Sequence, residues 1–457
     1  MHSDTLILLL RIAGPLAMSA FAYFFYCWTK ARFIDLHQGK IDALLFVTYI
    51  ASRITVWSIF AIFLQYHVTS SDPRLFYTPQ LEHFLAGHIP IRDFYYPYAP
   101  LMMPSMLPFY VLLGRSLPGI SLFAISAEAI ALLFFVKCVS LKRQEIDNSW
   151  PRQALALYLL NPATLYWTVF QGYHSIVQTA YAMSAIYFLT RGYSNLGYGI
   201  GLYGVAGAKL LAVLDWPALL TIRRPRLTKL LCGAIPLLLT YAAYQAVTGD
   251  ILFPIRFHVG YTGEGNIWYL TTALSRLHNF YSLFPGNLIP ILFFGVAFCA
   301  GFVVWVRAVR SGTTSFSFQS AMGTTTFTMS LFFLFSLYTG SYYVPMIMLP
   351  AALVATYPGI GSRWAVCLVL LISALCISGD SIWASLGQPD NLRSTFSSSF
   401  TQNVLVSFWI LTILVRIAGF AKLAQLGLRV AIQSPGRARE FKSRETATIR
   451  ENISCIG

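Results

Sequence analysis

The sequence predicts an all-α fold, a polytopic bundle of about 11–13 membrane-spanning helices. Two observations carry that reading. Of 457 residues, 56% are hydrophobic and only 11% are charged, with a mean hydropathy of +0.62. Soluble domains hold roughly 25% charged residues, and a chain this poor in charge cannot cover a water-facing surface. The apolar residues are also gathered into runs, at 230–247, 288–306, 327–337 and 404–417, that approach or reach the roughly 20 residues needed to cross a bilayer core. No segment of soluble folding size separates them. The chain therefore reads as one membrane domain over 1–428, followed by a short basic tail over 429–457.

Taken in order, the first span covers 5–28. Its positive cluster follows the apolar run, and no small-residue cleavage site is evident, so it reads as a span and not as a signal peptide. Lys30, Arg32 and Lys40 then lie inside by the positive-inside rule. The second span, 43–66, emerges outside at His67, which makes 68–99 an external loop. Between 101 and 220 the pattern is broken: Pro104, Pro108 and Pro118 interrupt one apolar stretch, and Lys209 another. Such breaks are tolerated where the freed polar groups face protein or a water-filled cavity, so half-helices or a re-entrant pair are expected there. The span at 230–247 runs outward after Arg223, Arg224, Arg226 and Lys229. A second external loop, 248–287, follows, and 288–306 returns to Arg307 and Arg310. Further spans end near Tyr338, run from 342 toward Arg363, run from 364 to near Asp380, and occupy 404–418. This leaves Arg429, Arg437, Arg439, Lys442 and Arg444 cytoplasmic, against an anionic leaflet.

The net charge of +15 is spread over span ends, not gathered on a soluble face, which excludes nucleic acid as a partner. The seven cysteines contain no C-x-x-C pair, and six lie in apolar runs, where they read as small buried hydrophobes. There is no P-loop, no Rossmann glycine pattern, no H-E-x-x-H and no His/Cys/Asp set at metal-ligand spacing. No metal and no cofactor is expected. The glycines at 197, 199, 201 and 204 fall in an apolar segment, where close helix packing is the default.

The first external loop is unusual. Asp72, Arg74, Glu82, His83, His88, Arg92 and Asp93 lie close together in a chain otherwise poor in charge. Residues 75–86 fit a short interfacial amphipathic helix ended by Gly87. Tyr95, Tyr96 and Tyr98, with Pro97 and Pro100, mark the re-entry into lipid. Asp72 sits just beyond a span, at the external mouth of the bundle. A partly desolvated carboxylate there suits a general base that deprotonates an acceptor hydroxyl. The structural alternative is an aspartate that caps or turns the chain before Pro73.

The order of these features resembles the multi-spanning GT-C glycosyltransferases that use polyprenyl-phosphate sugars. The likeness is greatest to the mannosyltransferase branch, including the first mannosyltransferase of GPI-anchor assembly and its bacterial relatives. It runs through an external Asp72, a short helix ending in Gly, then Tyr96-Pro97-Tyr98-Ala99-Pro100-Leu101. It continues in Asn161-Pro162, in Gly172-Tyr173-His174-Ser175, in the Gly-rich stretch before Lys209 and in Trp216-Pro217. The aromatic-Pro stretch 338–350, with Tyr342, Tyr343 and Pro345, matches more loosely. The resemblance covers 43–220 well. It departs in two places: relatives often carry Asp-x-Asp in the first loop, where this chain has Asp72 alone and Asp93 as the nearest second carboxylate, and His174 stands where relatives place Asp or Glu.

The resemblance implies a membrane glycosyltransferase, hexosyl or pentosyl, that moves a mannose-like or other sugar to a lipid-linked or glycan acceptor at the external or lumenal face. Its home would be a prokaryotic plasma membrane or the endoplasmic reticulum. Catalytic candidates are Asp72 and Asp93. Donor-phosphate or substrate candidates are Arg92, His174, Lys209, Arg256, His258, Arg276 and Tyr342, since Arg offers bidentate contact to phosphate oxygens and Lys a point charge. Lys209 is the most informative of these, because a lysine within an apolar run needs a partner. That partner is the donor phosphate, an acidic residue such as Asp215 or Glu128, or a polar cavity, and the structural alternative is a lysine that snorkels to the nearer interface. Two rivals remain: a transporter or flippase for a lipid-linked sugar, which would show paired ionisable residues deep in several spans, and a silent partner subunit of a glycosyltransferase.

Overall fold

The computed structural model describes residues 2–35, 38–64, 72–141, 149–222, 227–254, 318–336, 340–386 and 400–432, with short pieces between 295 and 306. Among the described residues the chain is helical, with no strand. In lipid every backbone polar group must be satisfied within its own segment, and helices do this without leaving an edge. Five helical segments are long and apolar enough to cross a bilayer: Gly39–Ile62, Leu117–Leu141, Leu227–Thr248, Arg363–Ser385 and Gln402–Ile432. The chain is an integral, multi-pass membrane protein.

Helix α1 is His2–Asp35, and α2 is Gln38–Ile59, continued by a π-helical turn Phe60–Leu64. The loop after α2 holds a π-helical turn, Pro73–Tyr77, that runs directly into α3, Thr78–Leu85. Gly87, at φ 77°, closes the short helix expected at 75–86. The region from 101 to 220 is broken, as anticipated. Helix α4, Met102–Leu112, carries Pro108 inside, and α5, Leu117–Leu141, begins around Pro118. Helix α6, Ser149–Leu159, stops at Asn161-Pro162, and a π-helical segment, Thr164–Phe170, resumes the path. Helices α7, Ile176–Thr190, and α8, Ser194–Gly207, follow. Lys209 is extended, at φ −153° and ψ 154°, and separates α8 from a 3₁₀ turn, Leu210–Asp215, that feeds the short α9, Trp216–Leu220.

The remaining helices are α10, Leu227–Thr248; α11, Phe318–Phe335; α12, Pro345–Thr356, preceded by a 3₁₀ turn Ser341–Tyr343; α13, Arg363–Ser385; and α14, Phe400–Ile432. Every residue of α12 is buried, so this helix is the axis of the bundle. Around it α1 packs on α13, α5 on α7, α8 on α10 and α11 on α14. Helix α10 is peripheral and turns Leu231, Ile235, Leu238 and Leu239 outward. It meets α8 where two glycines face each other: a Cβ on Gly233 would lie 2.7 Å from the Gly199 Cα. The glycine-rich stretch is thus a packing surface, as small residues are between membrane helices.

Against 11–13 expected crossings, five described segments are long enough to cross unaided, and the others include the shorter apolar helices Met102–Leu112, Ile176–Thr190, Leu210–Leu220 and Pro345–Thr356. Most of the run at 288–306 lies outside the described residues. The last helix continues through Arg429 to Ile432, past the expected start of the tail.

Candidate functional site

The site is assembled from three breaks in regular helix. The first is the π-helical turn after Asp72. Pro73 at its first position, unable to donate a backbone hydrogen bond, starts the turn without loss. Tyr77 at its end is carried inward and is 1% exposed. The second break is the Gly172 turn. Gly172 sits at φ 70°, and a Cβ there would lie 2.9 Å from Ser121 Oγ on α5. Only glycine fits that backbone and that approach, and the turn delivers Tyr173, His174 and Ser175 to the top of α7. The third break is Lys209 itself.

These segments interlock. Tyr77 Oη and His174 Nδ1 are 2.7 Å apart, and both side chains are buried. Burial pushes the Tyr77 hydroxyl well above the usual phenol range, so it stays protonated and can donate. The Tyr173 hydroxyl accepts a hydrogen bond from the Asp72 backbone N–H at 3.3 Å. The Tyr77 ring meets Tyr98 edge-on at 5.5 Å and His174 at 5.2 Å, and Tyr98 meets His174 at 5.6 Å. Tyr173 stacks on Tyr342 at 4.7 Å and 19°. Aromatic pairs in offset or edge contact stabilise by about 0.5–1.5 kcal/mol each beyond area burial, so the loop carrying Asp72 is braced on α7 and on the turn before α12.

Lys209 sits beneath this aromatic wall. Its ammonium donates to Ser175 Oγ at 3.2 Å, and it lies 3.8 Å from the Tyr343 ring centroid and 5.5 Å from that of Tyr342. The Asp72 carboxylate is near enough to act on that ammonium electrostatically. Lys209 makes no salt bridge among the described residues. The two acidic partners considered for it are engaged elsewhere. Asp215 accepts from Gln178 Nε2 at 2.9 Å. Glu128 pairs with Arg53 of α2 at 2.6 and 2.9 Å, and takes a further hydrogen bond from Tyr158 at 2.8 Å. The structural ion-pair reading of Lys209 with Asp215 or Glu128 is therefore corrected: Glu128 already holds a buried cation, and Asp215 a neutral amide.

The structure thus brings Asp72, His174, Lys209 and Tyr342 into one cluster. The contacts of Arg92 and Asp93 lie outside this cluster. Asp93 accepts from the Ile89 N–H at 2.7 Å and from Arg92 Nε at 3.0 Å, which closes the exposed turn beyond α3. That pairing with Arg92, together with the Ile89 N–H, holds the Asp93 carboxyl below the usual aspartate range. Arg256, His258 and Arg276 lie outside the described residues. Among the described residues no three His, Cys, Asp or Glu side chains form a metal-binding group. Tyr77, Ser175 and Tyr343 belong to the cluster although sequence reasoning did not select them. Ser175 and Tyr343 adjoin residues that were selected, whereas Tyr77 had no signal beyond its place in the loop.

No family profile and no curated protein matches this sequence. Among solved structures, the crystal structure of ArnT from Cupriavidus metallidurans bound to undecaprenyl phosphate aligns over 88% of this chain and 79% of that one, with 13% sequence identity and a TM-score of 0.47.

Chemically, the cluster offers a carboxylate, an ammonium within its electrostatic reach, and aromatic rings around the ammonium. A lysine is expensive at this depth unless an anion or a polar cavity meets it. Here the protein offers one hydroxyl and a ring face, which stabilise the ammonium while leaving its other donors for a ligand.

Proposed function

We propose that the chain is a membrane-embedded glycosyltransferase of the GT-C type that takes its sugar from a polyprenyl-phosphate donor. The observation that supports this most is the placing of Lys209 under the aromatic cluster, donating to Ser175 and resting on the Tyr343 ring, within electrostatic reach of Asp72 and without a salt bridge of its own among the described residues. A lipid-phosphate donor keeps its anion at headgroup depth and its tail in lipid. Lys209 meets that phosphate and steadies it as the leaving group. Asp72 accepts the proton of the attacking hydroxyl as it adds to the anomeric carbon, and the glycosidic C–O bond to phosphate breaks. With the leaving charge held by a cation of the protein, the reaction has no need of a metal at that point. Tyr98, Tyr173 and Tyr342 offer ring faces suited to a sugar or an isoprenoid. Asp93 serves the loop that carries the base and not the reaction itself.

The finer reading is a mannosyltransferase acting at the external or lumenal face, and it rests on the sequence resemblance alone. A transporter remains the rival reading, and the buried Arg53–Glu128 pair is the one feature among the described residues that it would also explain. The deciding experiment is an in vitro transfer assay on the purified protein with a panel of radiolabelled polyprenyl-phosphate sugars and membrane-extract acceptors. Label should move to an acceptor with one donor and not with the others. Absence of transfer with every donor, by protein that is folded and lipid-reconstituted, overturns the reading.

A further inference from the structure

Below the cluster just described lies a second polar place that the proposed reaction does not use. Three residues beyond Ser175, α7 presents Gln178; six beyond Lys209, the 3₁₀ turn presents Asp215. With Thr179 of α7 and Thr325 of α11 they line a small enclosed cavity, whose remaining wall is apolar and includes Met183 and Met346. Gln178 is 1% exposed, Asp215 5% and Thr325 2%.

The hydrogen bonding of this cavity is incomplete in a specific way. Gln178 Nε2 donates to Asp215 Oδ2 at 2.9 Å and to the Leu211 carbonyl at 3.1 Å. Turning the amide over would set its oxygen against both acceptors, so the orientation is dictated. Its Oε1 then has no hydrogen-bond partner, and neither has Thr325 Oγ1. Among the described residues no Lys, Arg or His lies within ion-pair distance of Asp215. Water cannot supply the missing contacts, because the cavity has no room for a water molecule. A buried carboxylate beside an orphaned amide oxygen and hydroxyl is costly unless something positive sits among them.

We propose that this cavity binds a single small monovalent cation, Na⁺, through Asp215, Gln178 Oε1 and the hydroxyls of Thr179 and Thr325. The donor set is all oxygen, which suits a hard cation. It carries one formal charge, so a divalent ion would remain half compensated in an apolar surround. The space among these oxygens is tight, which favours the smaller Na⁺ over K⁺. The ion would join α7 to the 3₁₀ turn and so secure the segment that ends at Lys209. Unwound segments between half-helices hold Na⁺ in this manner in other membrane folds.

The test reads binding directly and does not depend on glycosyl transfer. Purified wild-type protein is assayed with ²²Na⁺ by scintillation proximity, with competition by unlabelled NaCl and KCl. In parallel, melting curves are taken at constant ionic strength in NaCl, KCl and choline chloride. The expected result is saturable ²²Na⁺ binding displaced by Na⁺ but not by K⁺, with a melting temperature raised by Na⁺ alone. Asp215→Asn, which keeps the Gln178 contact possible, should abolish both effects. Three results overturn the proposal: no saturable ²²Na⁺ binding to the wild type, equal competition by K⁺, or a Na⁺-dependent melting shift that persists in Asp215→Asn. Melting that depends on pH but not on Na⁺ also overturns it, since Asp215 would then be neutralised by a proton. If Asp215→Asn does not fold, the wild-type competition assay still decides.

Discussion

Replacement of Lys209 by Met separates its two possible roles. The ammonium donates to Ser175 and rests on the Tyr343 ring, and it shares no salt bridge with a carboxylate. Methionine keeps the length and apolar volume of the stem. The loss is one hydrogen bond from a charged donor, about 1.5–3 kcal/mol, and a cation–π contact of up to about 2 kcal/mol. Against these stands the gain of no longer desolvating an ammonium. The opposing terms nearly cancel, so Lys209→Met should change stability by less than about 2 kcal/mol, whereas stranding one half of a buried ion pair costs roughly 3–5 kcal/mol. Donor affinity should respond more strongly. A charge-assisted hydrogen bond to phosphate of about 1.5–3 kcal/mol, at about 1.4 kcal/mol per tenfold, gives a loss of roughly 10- to 100-fold. The assay is polyprenyl-phosphate binding to purified protein beside a thermal melt of the same sample. A collapse in melting temperature with unchanged affinity in the surviving folded fraction refutes the phosphate role.

Four further outcomes are expected. Asp72→Asn should retain folding and donor binding while turnover falls by about 10²-fold or more; near wild-type turnover removes the base assignment. Glu128→Gln, which leaves Arg53 buried without its carboxylate, should destabilise the protein by roughly 3–5 kcal/mol in a chemical melt, and the double replacement Arg53→Met with Glu128→Leu should recover much of that. Asp93, whose folded-state acidity is strengthened by Arg92 and the Ile89 N–H, steadies its turn above the ordinary aspartate value of about 3.9 and stops doing so as pH falls through its lower folded value. Protection of the Ile89 amide, relative to its intrinsic exchange rate, should therefore persist at the ordinary aspartate value and fall only at lower pH, and should be lost at neutral pH in Asp93→Asn; unchanged protection in both contradicts the pairing. Impermeant maleimide should label cysteines at 71 and 434 (Ser71→Cys and Ser434→Cys in a cysteine-free background) from opposite sides, and labelling of both from one side breaks the topology.

What the sequence made legible was whatever hydrophobic pattern alone decides. The span at 230–247 appears as α10, Leu227–Thr248, and the short loop helix ends at Gly87 because both depend on local composition. The break at Lys209 was also visible, since a charge in an apolar run announces it. The contacts that make the site were not visible. His174 meets Tyr77 across 97 residues, and Arg53 meets Glu128 across 75. Neither pair has a local period, and Arg53 sits in an otherwise ordinary stretch of α2. For Arg92 and Asp93 the charge density was visible, but not that these adjacent residues pair with each other in a tight turn.

The two prominent breaks show how the bundle distributes its buried charge. A helix that stops inside a membrane frees carbonyls that need donors. At the Asn161-Pro162 break the Leu159 carbonyl receives the Arg53 guanidinium, whose charge is in turn cancelled by Glu128. That break is closed electrically and is structural. At the Lys209 break the Leu211 carbonyl receives a neutral amide, Gln178, so the cation of that break is not consumed in repairing it. Lys209 faces a hydroxyl, ring faces and, farther off, the Asp72 carboxylate. The first break spends its cation on the fold, and the second leaves its cation available to an anionic ligand. This asymmetry, more than the presence of a lysine in a hydrophobic run, is what supports the proposal that the segment around 209 meets the donor phosphate.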